Sequence, residues 1–519
     1  MARVLITEPL AEAGIELLRR DGHVVDVSVG LDPEALRNAV VGADALIVRS
    51  ATQVDRSLLA AGDRLKVVGR AGVGLDNVDV EAATARGVIV ANAPTSNSIS
   101  AAEHTLALLL AVARNVPQAH AALVAGRWER SQWGGVELHD KTLGIVGLGR
   151  IGALVAQRAR AFGMRLVGHD PFVSETRAAE LGVELLDLDE VVRASDFLTL
   201  HVARTPETVG LIDAQRLRDA KPGLRIVNVA RGGIVDEADV ADAIRSGTIA
   251  GAGLDVFDHE PVTESPLFGL PQVVVTPHLG ASTVEAQDRA GVTIAEQVSL
   301  ALAGDFVPFA VNVAAHGVSE EVRPFLPVAE QLGIRFARLT DATEIDIEFA
   351  GEIGGYDCRM AELAVLKGLM SVRSGLSVSY VNAEELAADA GVAVRSHATT
   401  DSPSGFVNGI RISGGGSSIA GTVLVLSGEM RIISIDDFTI DIPPADNLLV
   451  LLNDDTPGMI GRVGTLFGDA GVNIDDMHIG RNHEGRALMA IATSEPLPRS
   501  LIDSLNAETA VRGLRTLDL

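Results

Sequence analysis

The sequence predicts an α/β protein with two parallel-sheet domains at the front, an α+β domain behind them and a small βαββαβ domain at the end. Short Val, Ile and Leu runs alternate with longer helical patterns over residues 1–303, which is typical of parallel sheets covered by helices. The pattern becomes more β-like over residues 304–444, and a compact βαββαβ order follows Pro443 and Pro444. A chain of 519 residues is too long for one hydrophobic core, so several domains are expected.

The first parallel sheet is predicted from four apolar runs and the helical segments between them. The predicted strands are Arg3–Thr7, Ala45–Val48, Lys66–Gly69 and Val88–Ala91. The predicted helices include Ala11–Asp21 and Pro33–Val41. A long apolar helix is expected at Ser98–Arg114, with Asn97 or Ser98 placed to cap it.

A second βαβ series is predicted from Thr142 onward and ends in another long helix. Its later strands are expected at Arg165–His169, Phe197–His201, Arg225–Val229, Gly253–Val256 and Val273–Thr276. The helix that follows is expected over Thr283–Ala303. The next segment contains Gly414, Gly415 and Gly416, which indicate a turn or linker.

The last segment has the alternation of a ferredoxin-like unit. Its strands are predicted at Leu448–Leu452, Val472–Arg481, Gly485–Ser494 and Val511–Leu517, with helices at Pro457–Ala470 and Pro498–Leu505.

Composition excludes several classes of function. The net charge of −26 and the pI near 4.8 disfavour nucleic acid and anionic membranes as general partners. The first residues lack the long apolar region of a secretory signal, and the most apolar run, Leu106–Ala113, is too short to span a bilayer. Cys358 is the single cysteine, so an intrachain disulfide or a cysteine-rich metal site is excluded. A reducing cytoplasm and a protein without metal are the expectations.

A glycine-rich turn follows the strand that begins at Thr142. Gly147, Gly149 and Gly152 have the G-x-G-x-x-G spacing between a strand and a helix, which is typical of a dinucleotide pyrophosphate site. Asp170 closes the next strand, where a carboxylate accepts hydrogen bonds from the adenosine ribose and repels a 2′-phosphate. The sequence therefore predicts NAD rather than NADP.

Three more segments at strand ends carry reactive side chains of different kinds. Arg231 lies in Asn228–Gly233, Glu260 in Asp255–Pro261 and His278 in Thr276–Thr283. A guanidinium binds a carboxylate bidentately, and an imidazole can act as general acid or base near neutral pH. Together with the cofactor motif they favour a dehydrogenase over three isolated structural residues.

At this point the chain resembles the D-isomer-specific 2-hydroxyacid dehydrogenases. The resemblance rests on GLGRIG, NVARGGIVDE, LDVFDHEP and TPHLGAST, and it covers about Met1 to Gly304. It implies two flavodoxin- or Rossmann-like domains: a discontinuous substrate domain (residues 1–97 plus 284–303) and an inserted NAD domain (98–283). It also implies that His278 is the general acid/base, that Glu260 orients it and that Arg231 binds the substrate carboxylate. We expect NAD to contact Gly147, Gly149, Arg150, Ile151, Gly152, Asp170, Ala230, Asp255, His278 and Gly280.

The substrate domain carries residues that suit a second, distal anion. Backbone amides at Gly72, Val73 and Gly74 are expected to grip the carboxylate alongside Arg231, which leaves Arg49 and Arg70 for the distal group. Residues 128–130, Trp-Glu-Arg, resemble the phosphoglycerate dehydrogenase branch, in which an arginine here (Arg130) reaches the neighbouring subunit's site. The predicted substrate is 3-phospho-D-glycerate, in a homo-oligomer (dimer or tetramer).

The rest of the chain resembles the regulatory part of the long-form members of that branch. Residues 445–519 resemble an ACT domain, and residues 304–444 resemble the intervening domain of the long forms from serine biosynthesis. The resemblance implies L-serine as feedback effector, bound by Asp455, Gly458 and Asn473. Asn453 departs from the pattern, since such relatives often have an aromatic residue there. An alternative for Asp455 is a helix cap.

Other functions remain open from the sequence alone. Another NAD-dependent D-2-hydroxyacid dehydrogenase, acting on glycerate, glyoxylate or 2-oxoglutarate, is the main alternative. The resemblance itself implies some reduction of 2-oxoglutarate. An NAD-sensing corepressor is a second alternative, and a catalytically inactive amino-acid sensor is a third, although Arg231, Glu260 and His278 argue against it.

Overall fold

The computed structural model describes residues 1–314, 318–402, 405–424, 427–482 and 486–519. Within these residues the strands form a 5-stranded, a 7-stranded, a 6-stranded and a 4-stranded sheet, in the order along the chain that the sequence predicts. The first two sheets are parallel, and the last two are mixed and antiparallel.

The first sheet is flavodoxin-like. Its strands are β1 (Arg3–Ile6), β2 (Val24–Val27), β3 (Ala45–Val48), β4 (Val67–Arg70) and β5 (Ile89–Ala91), and its helices are α1 (Glu12–Arg20), α2 (Pro33–Val40), α3 (Arg56–Ala61) and α4 (Val80–Ala85). The strand order is β2-β1-β3-β4-β5. The sequence prediction misses β2, an edge strand in which Asp26 interrupts a short valine run.

Two helices, α5 (Ser98–Arg114) and α6 (Val116–Val124), lead into the second sheet. The α5 bounds match the prediction, but the predicted side-chain cap is wrong. Asn97 occupies the cap position with φ −108° and ψ 4° and makes no side-chain cap hydrogen bond. Its backbone is not in the extended conformation that directs a cap side chain at the first helical amides.

The second sheet has a Rossmann strand order. Its strands are β6 (Thr142–Val146), β7 (Arg165–His169), β8 (Glu184–Leu185), β9 (Phe197–Leu200), β10 (Arg225–Asn228), β11 (Gly251–Leu254) and β12 (Val273–Val275). Its helices are α7 (Arg150–Ala161), α8 (Glu175–Leu181), α9 (Leu188–Ala194), α10 (Ala214–Arg218) and α11 (Glu237–Arg245). The order is β12-β11-β10-β9-β6-β7-β8, so the direction of winding reverses between β6 and β9. Ligands bind at the carboxyl ends of strands at such a switch point.

The chain then returns to the first sheet through α12 (Val284–Ala303). Ile294 and Val298 of this helix are fully buried in one core with Val4 and Ile6 of β1. This packing supports a discontinuous first domain, whose exact bounds stay a prediction.

The third sheet begins after a short 3-10 helix and one long helix. Its strands are β13 (Glu344–Gly351), β14 (Ala393–Thr399), β15 (Asn408–Gly414), β16 (Ser417–Val423), β17 (Met430–Ile435) and β18 (Phe438–Ile442), and its helices are α13 (Leu326–Leu339), α14 (Arg359–Arg373) and α15 (Ala383–Asp389). Short 3-10 helices lie at Arg323–Phe325 and Glu352–Gly355. The predicted glycine turn joins β15 to β16, and Gly415 (φ 60°) and Gly416 (φ 80°) are both left-handed, as a tight hairpin requires.

The fourth sheet is the predicted ferredoxin-like unit. Its strands are β19 (Asn447–Asp454), β20 (Asp476–Arg481), β21 (Arg486–Thr493) and β22 (Val511–Thr516), and its helices are α16 (Met459–Asp469) and α17 (Arg499–Ala507). The order is β20-β21-β19-β22, all antiparallel. The strand predicted from Val472 begins only at Asp476, and the predicted start of the next strand, Gly485, lies outside the described residues.

The third and fourth sheets share one hydrophobic core. Leu448 and Leu488 of the fourth sheet pack in the same cluster as Phe336 of α13. Arg335 on that helix is fully buried, and its Nη2 donates to the carbonyl of Ala445 (2.7 Å). Burial lowers the pKa of Arg335 to about 10, although Asp446 and Asp518 oppose this shift.

No single helix among the described residues is long and apolar enough to cross a membrane. Only α5 and α6 taken together reach that length and composition, and the chain bends by 63° between them. Leu108, Leu109 and Val112 of α5 are buried in the core of the second sheet.

Candidate active site

The carboxyl ends of strands from the first two sheets border a cleft of about 590 Å³. Of the predicted catalytic and substrate residues, the cleft is lined by Arg49, Arg70, Gly72, Arg231, Glu260 and His278. The structure therefore brings together residues that are up to 229 positions apart in the sequence, from Arg49 to His278.

His278 and Glu260 form a close pair. Nδ1 of His278 lies 2.6 Å from Oε2 of Glu260, and both side chains are partly exposed to the cleft. The other carboxylate oxygen accepts the amide of Phe257 (2.9 Å). Because Nδ1 is engaged by the carboxylate, Nε2 is the nitrogen available to a substrate hydroxyl.

The environment of Glu260 favours its ionised form. Burial by itself raises the pKa of this carboxyl, but the hydrogen bonds from His278 and Phe257 outweigh it, so the pKa lies below the usual value of 4.5. An ionised Glu260 can stabilise a protonated imidazole, as a general acid/base requires.

Arg231 extends from the end of β10 towards the first sheet. Its Nε lies 3.3 Å from Oδ2 of Asp76, and its Nη1 donates to Ala230 O (2.7 Å). Its own backbone is held by Asn228, whose side chain donates to Arg231 O and accepts from the Ala230 amide. The guanidinium is thus oriented from both sides of the cleft.

Arg70 and Arg49 supply further positive charge. Burial, with repulsion from Arg231, lowers the pKa of Arg70 to about 10, which leaves it charged at neutral pH. Arg49 lies on a loop that Glu8 holds, because the Glu8 carboxylate accepts the amides of Arg49, Ala51 and Thr52 at 2.8–3.1 Å. The guanidinium groups of Arg49, Arg70 and Arg231 make the cleft suitable for an anion with two charged ends. The acids Asp76, Asp258 and Glu260 line the same cleft.

The Gly72–Gly74 loop agrees only in part with its predicted role. The Gly72 amide donates to Arg70 O (2.8 Å), so this amide is not available for a substrate carboxylate as predicted. Gly72 instead leaves room for Arg70: a Cβ there would lie 1.7 Å from Arg70 Nη1. Val73 and Gly74 remain candidates for carboxylate binding.

The glycine turn at β6 fits a dinucleotide. No atom lies within 4 Å of a Cβ built on Gly149, so a pyrophosphate can approach the start of α7, whereas a Cβ on Gly152 would lie 2.0 Å from Gly147 O. The Asp170 carboxylate accepts the amides of Leu148 (2.8 Å) and Phe172 (2.9 Å). It therefore holds the turn and keeps lone pairs for a ribose. Arg150 and Ile151 are the first two residues of α7, and their contact with NAD stays a prediction.

Two predicted cofactor residues have internal partners. The Asp255 side chain is fully buried, and its Oδ2 accepts the amide of Gly280 (2.7 Å). Both groups hold the loop of His278 in place, and a direct contact of either with NAD stays a prediction. Ala230 lies beside Arg231 at the end of β10, on the cleft side of the sheet.

Several residues that line the cleft were not predicted from the sequence, among them Arg204, Asn97 and Asp76, and one predicted residue lies outside it. Arg204, whose Nη2 donates to Asp258 (2.8 Å), and Asn97, whose buried Oδ1 has no hydrogen-bond partner, both line the cleft. Their positions after β9 and before α5 were a usable signal, since strand ends and domain connections meet there. Arg130 lies outside this cleft, exposed on the loop after α6. Its predicted contact with a neighbouring subunit stays a prediction.

The predicted effector residues lie at opposite ends of the fourth sheet. Asp455 and Gly458 follow β19, whose last residue pairs with Arg486, whereas Asn473 precedes β20, whose first residue pairs with Ala492 at the other end of β21. Asp455 follows β19 and its Oδ2 accepts from Arg481 Nε (2.6 Å). It does not cap α16, whose cap residue is Gly458 without a side-chain hydrogen bond. Asn473 was predicted to start a strand, but it precedes β20 and donates to Asp475 (2.8 Å). Among the described residues, no group of three or more His, Cys, Asp and Glu side chains could hold a metal ion.

Matches to family models follow the order of the sheets. Residues 106–280 match the NAD binding domain of the D-isomer specific 2-hydroxyacid dehydrogenases, residues 321–436 match the D-3-phosphoglycerate dehydrogenase intervening domain, and residues 447–509 match the ACT domain. The D-3-phosphoglycerate dehydrogenase of Mycobacterium tuberculosis is 47% identical over 523 residues, which is 99% of each chain. The chain belongs to the D-3-phosphoglycerate dehydrogenase family. The predicted fold class, NAD cofactor and dehydrogenase class are thereby confirmed.

More distant members and solved structures agree. The D-3-phosphoglycerate dehydrogenase of Methanocaldococcus jannaschii is 38% identical over 531 residues, 100% of each chain. A Thermus thermophilus protein of known structure is 39% identical, with a TM-score of 0.56 over 60% of this chain and 99% of that one. The Aquifex aeolicus D-lactate dehydrogenase, solved with NAD and lactic acid, is 26% identical, with a TM-score of 0.54 over 61% of this chain and 100% of its own.

Proposed function

We propose that this member of the D-3-phosphoglycerate dehydrogenase family oxidises 3-phospho-D-glycerate to 3-phosphohydroxypyruvate with NAD, the first step of a phosphorylated route to L-serine. The observation that carries the proposal is that one cleft holds the His278–Glu260 pair, the Arg231 guanidinium and two further arginines, Arg49 and Arg70.

The chemistry requires a base and a carboxylate anchor. Nε2 of His278 takes the proton of the C2 hydroxyl, and the charge that forms on the imidazole is stabilised by Glu260, 2.6 Å away. NAD held by the glycine turn from Gly147 to Gly152 and by Asp170 would supply the acceptor for the hydride that leaves C2, so that the carbon becomes a ketone. Arg231 binds the carboxylate and stabilises the negative charge of the oxygen as the hydroxyl loses its proton. In the reverse direction the protonated His278 acts as the acid.

The distal phosphate distinguishes this substrate from simpler hydroxyacids. Arg49 follows β3 and Arg70 is the last residue of β4, so both come from the first sheet, whereas Arg231 comes from the second. A three-carbon acid bound through its carboxylate at Arg231 extends its other end towards these two guanidinium groups. Arginine suits a phosphate because its planar donors bind two oxygens at once.

Initial-rate kinetics test the proposal. Specificity constants for 3-phosphohydroxypyruvate with NADH should exceed those for hydroxypyruvate, glyoxylate and 2-oxoglutarate by at least one decade, since each lost charge-assisted contact is worth about 1.5–3 kcal/mol. Equal constants for phosphorylated and unphosphorylated acids would favour a general D-2-hydroxyacid dehydrogenase.

We further propose that L-serine is a feedback effector of the unit formed by the fourth sheet. The match to the ACT domain and the exposed placement of Asp455 and Gly458 between β19 and α16 support this proposal. A homo-oligomer is proposed as well: Val124 and Trp128, at the end of α6 and just after it, are 74% and 82% exposed, and a partner subunit would cover them.

The cytoplasm stays the predicted compartment, supported by the single cysteine, Cys358.

A further inference from the structure

His104 lies on the outer side of the loop that carries His278, in a hydrogen-bond network that the proposed chemistry does not use. It belongs to α5, the helix that leads from the first sheet to the second. Its Nε2 lies 2.9 Å from Thr276 Oγ1 and 3.2 Å from Asp255 Oδ1. Its side chain is 20% exposed and that of Asp255 is fully buried. The network therefore connects the interdomain helix to the ends of β11 and β12.

The protonation of this network follows from its donors and acceptors. Burial raises the pKa of Asp255, but hydrogen bonds from His104, Thr276, Leu279 and Gly280 outweigh it and keep the pKa below its usual value. The ionised carboxylate can only accept. Thr276 donates its one hydroxyl hydrogen to Asp255 Oδ1 (2.6 Å). Nε2 of His104 must therefore carry a hydrogen and donate it to these two oxygens.

Asp255 holds the backbone of the catalytic histidine. Its carboxylate accepts the amides of Leu279 and Gly280, both at 2.7 Å, and its own carbonyl accepts the amide of His278 (2.8 Å). His278 has φ 56°, a left-handed conformation that is unfavourable for a residue other than glycine. Three successive amides bound to one residue hold His278 in that conformation, and with it the direction of the imidazole towards Glu260.

We infer that His104 is a positioning residue of the dehydrogenase reaction: its Nε2–H fixes the Asp255 carboxylate and the Thr276 hydroxyl, and through them the loop that presents His278 to the substrate. This inference rests on the proposed function of His278. The Asp255 carboxylate accepts four hydrogen bonds: three at Oδ1, from His104, Thr276 and the Leu279 amide, and one at Oδ2, from the Gly280 amide. Without His104 this buried negative charge loses one of its four donors. The loop then samples other conformations in which His278 turns away from Glu260.

The test compares His104→Leu with His104→Gln in the full-length protein. Glutamine can place an amide N–H near the position of Nε2, whereas leucine fills similar space and cannot donate. We expect kcat for 3-phosphohydroxypyruvate reduction to fall about tenfold in the leucine variant and to return to within about threefold of wild type in the glutamine variant. The KM for NADH and the thermal midpoint should stay close to wild type in both. His120→Leu, on the exposed side of α6, is the matched control and should change none of these values.

A second pair of variants, at Thr276, distinguishes a loss of positioning from a folding defect. Thr276→Val removes the hydroxyl that His104 contacts, and Thr276→Ser keeps it, so kcat should fall only in the valine variant. Wild-type kcat in His104→Leu would overturn the inference whatever the result in Thr276→Val, because Thr276 also donates directly to Asp255. A loss that comes with a lowered thermal midpoint and that glutamine does not restore would also overturn it, because the role would then be in folding. A wild-type protein inactive on every 2-oxoacid, with NADH bound, would instead refute the proposed function.

Discussion

Arg231 and Asp76 approach each other across the cleft, with Nε of the arginine 3.3 Å from Oδ2 of the aspartate. Arg231 follows β10 of the second sheet, and Asp76 follows β4 of the first. The contact therefore couples the orientation of Arg231, the proposed carboxylate anchor, to the relative position of the two sheets. The Asp76 side chain is 69% exposed, so the ion pair contributes little to overall stability.

Asp76→Asn tests whether this contact orients Arg231 or merely adds negative charge to the cleft. If Asp76 acts only through its charge, its removal improves binding of an anionic substrate and KM falls. If Asp76 orients Arg231, KM rises, by about two- to fivefold for an exposed pair. We expect the rise. KM measured at low and at high salt separates the two, since a pure charge effect fades with screening, and a lower KM at both would refute the orienting role.

Arg70→Ala should discriminate between substrates. Arg70 faces the proposed distal phosphate, so the specificity constant for 3-phosphohydroxypyruvate should fall roughly tenfold to hundredfold. Glyoxylate has no distal group and should lose far less. Arg86→Ala, an exposed arginine at the end of α4 with the same change of charge, is the control. Proportional losses on both substrates would show that Arg70 supports structure or the common carboxylate.

Elements with a strong local pattern were predictable from the sequence, and edge elements were not. α5 was predicted to the residue, because its apolar run fills both faces of a helix that packs in a core. The missed strands β2 and β8 are at the edges of sheets, where exposed residues carry little apolar signal. β20 begins later than predicted because Val472 and Ile474 are apolar, like strand residues, but precede Asp476, the first residue that pairs with β21.

The candidate site was predictable where the type of a single residue and its position after a strand indicate a chemical role. Arg231, Glu260 and His278 each follow a strand, and strand ends converge in parallel sheets. The contribution of Asp76 depends on the approach of two sheets, which no local pattern encodes. The hydrogen bond from the Gly72 amide and the internal partners of Asp255 are likewise properties of the folded loops rather than of the residue types.

Asp170 variants should change the cofactor preference in two separable ways. Asp170→Asn removes the charge but keeps an acceptor for the Leu148 amide, so the NADP-to-NAD ratio of specificity constants should rise by about tenfold. Asp170→Ala should raise the same ratio and in addition raise KM for both cofactors, because the glycine turn loses its acceptor. Steady-state kinetics with both cofactors measure this. A wild type that already prefers NADP would refute the role of Asp170.

Glu260→Gln should move the pH profile of the oxidation reaction. The pKa of Glu260 lies below 4.5, so its pairing with His278 is fully present above that pH and is lost only as the pH falls further. Without the carboxylate the protonated imidazole is less stable, so the rising limb of kcat/KM should shift to lower pH by about one unit. The plateau should fall because the imidazolium formed during proton transfer loses its counter-charge.

His278→Ala provides the reference for that experiment. It should lower the plateau by a factor of about 10²–10⁴ while NAD still binds. An unmoved limb in Glu260→Gln would mean that the 2.6 Å contact does not influence proton transfer.

Serine binding at the fourth sheet should depend on Asp455. The Asp455 carboxylate is bound to Arg481, and its side chain is 38% exposed, so an amino acid's ammonium group can reach it. Isothermal titration of the full chain should show L-serine binding to wild type and to Asp469→Ala, an exposed aspartate at the end of α16, but at least tenfold weaker binding to Asp455→Ala.

Buried contacts connect the proposed serine site on the fourth sheet with the first sheet, which borders the cleft. The third and fourth sheets share a core, and Val381, between α14 and α15 of the third unit, is buried in the core of the first sheet. Occupancy at the fourth sheet can therefore change how the first sheet faces the second, where Asp76 meets Arg231. We expect dehydrogenase activity to fall as the serine site fills, and this inhibition to be lost in Asp455→Ala with basal kcat unchanged. Serine that binds wild type without changing its rate would contradict the coupling, and equal binding to Asp455→Ala would contradict the site.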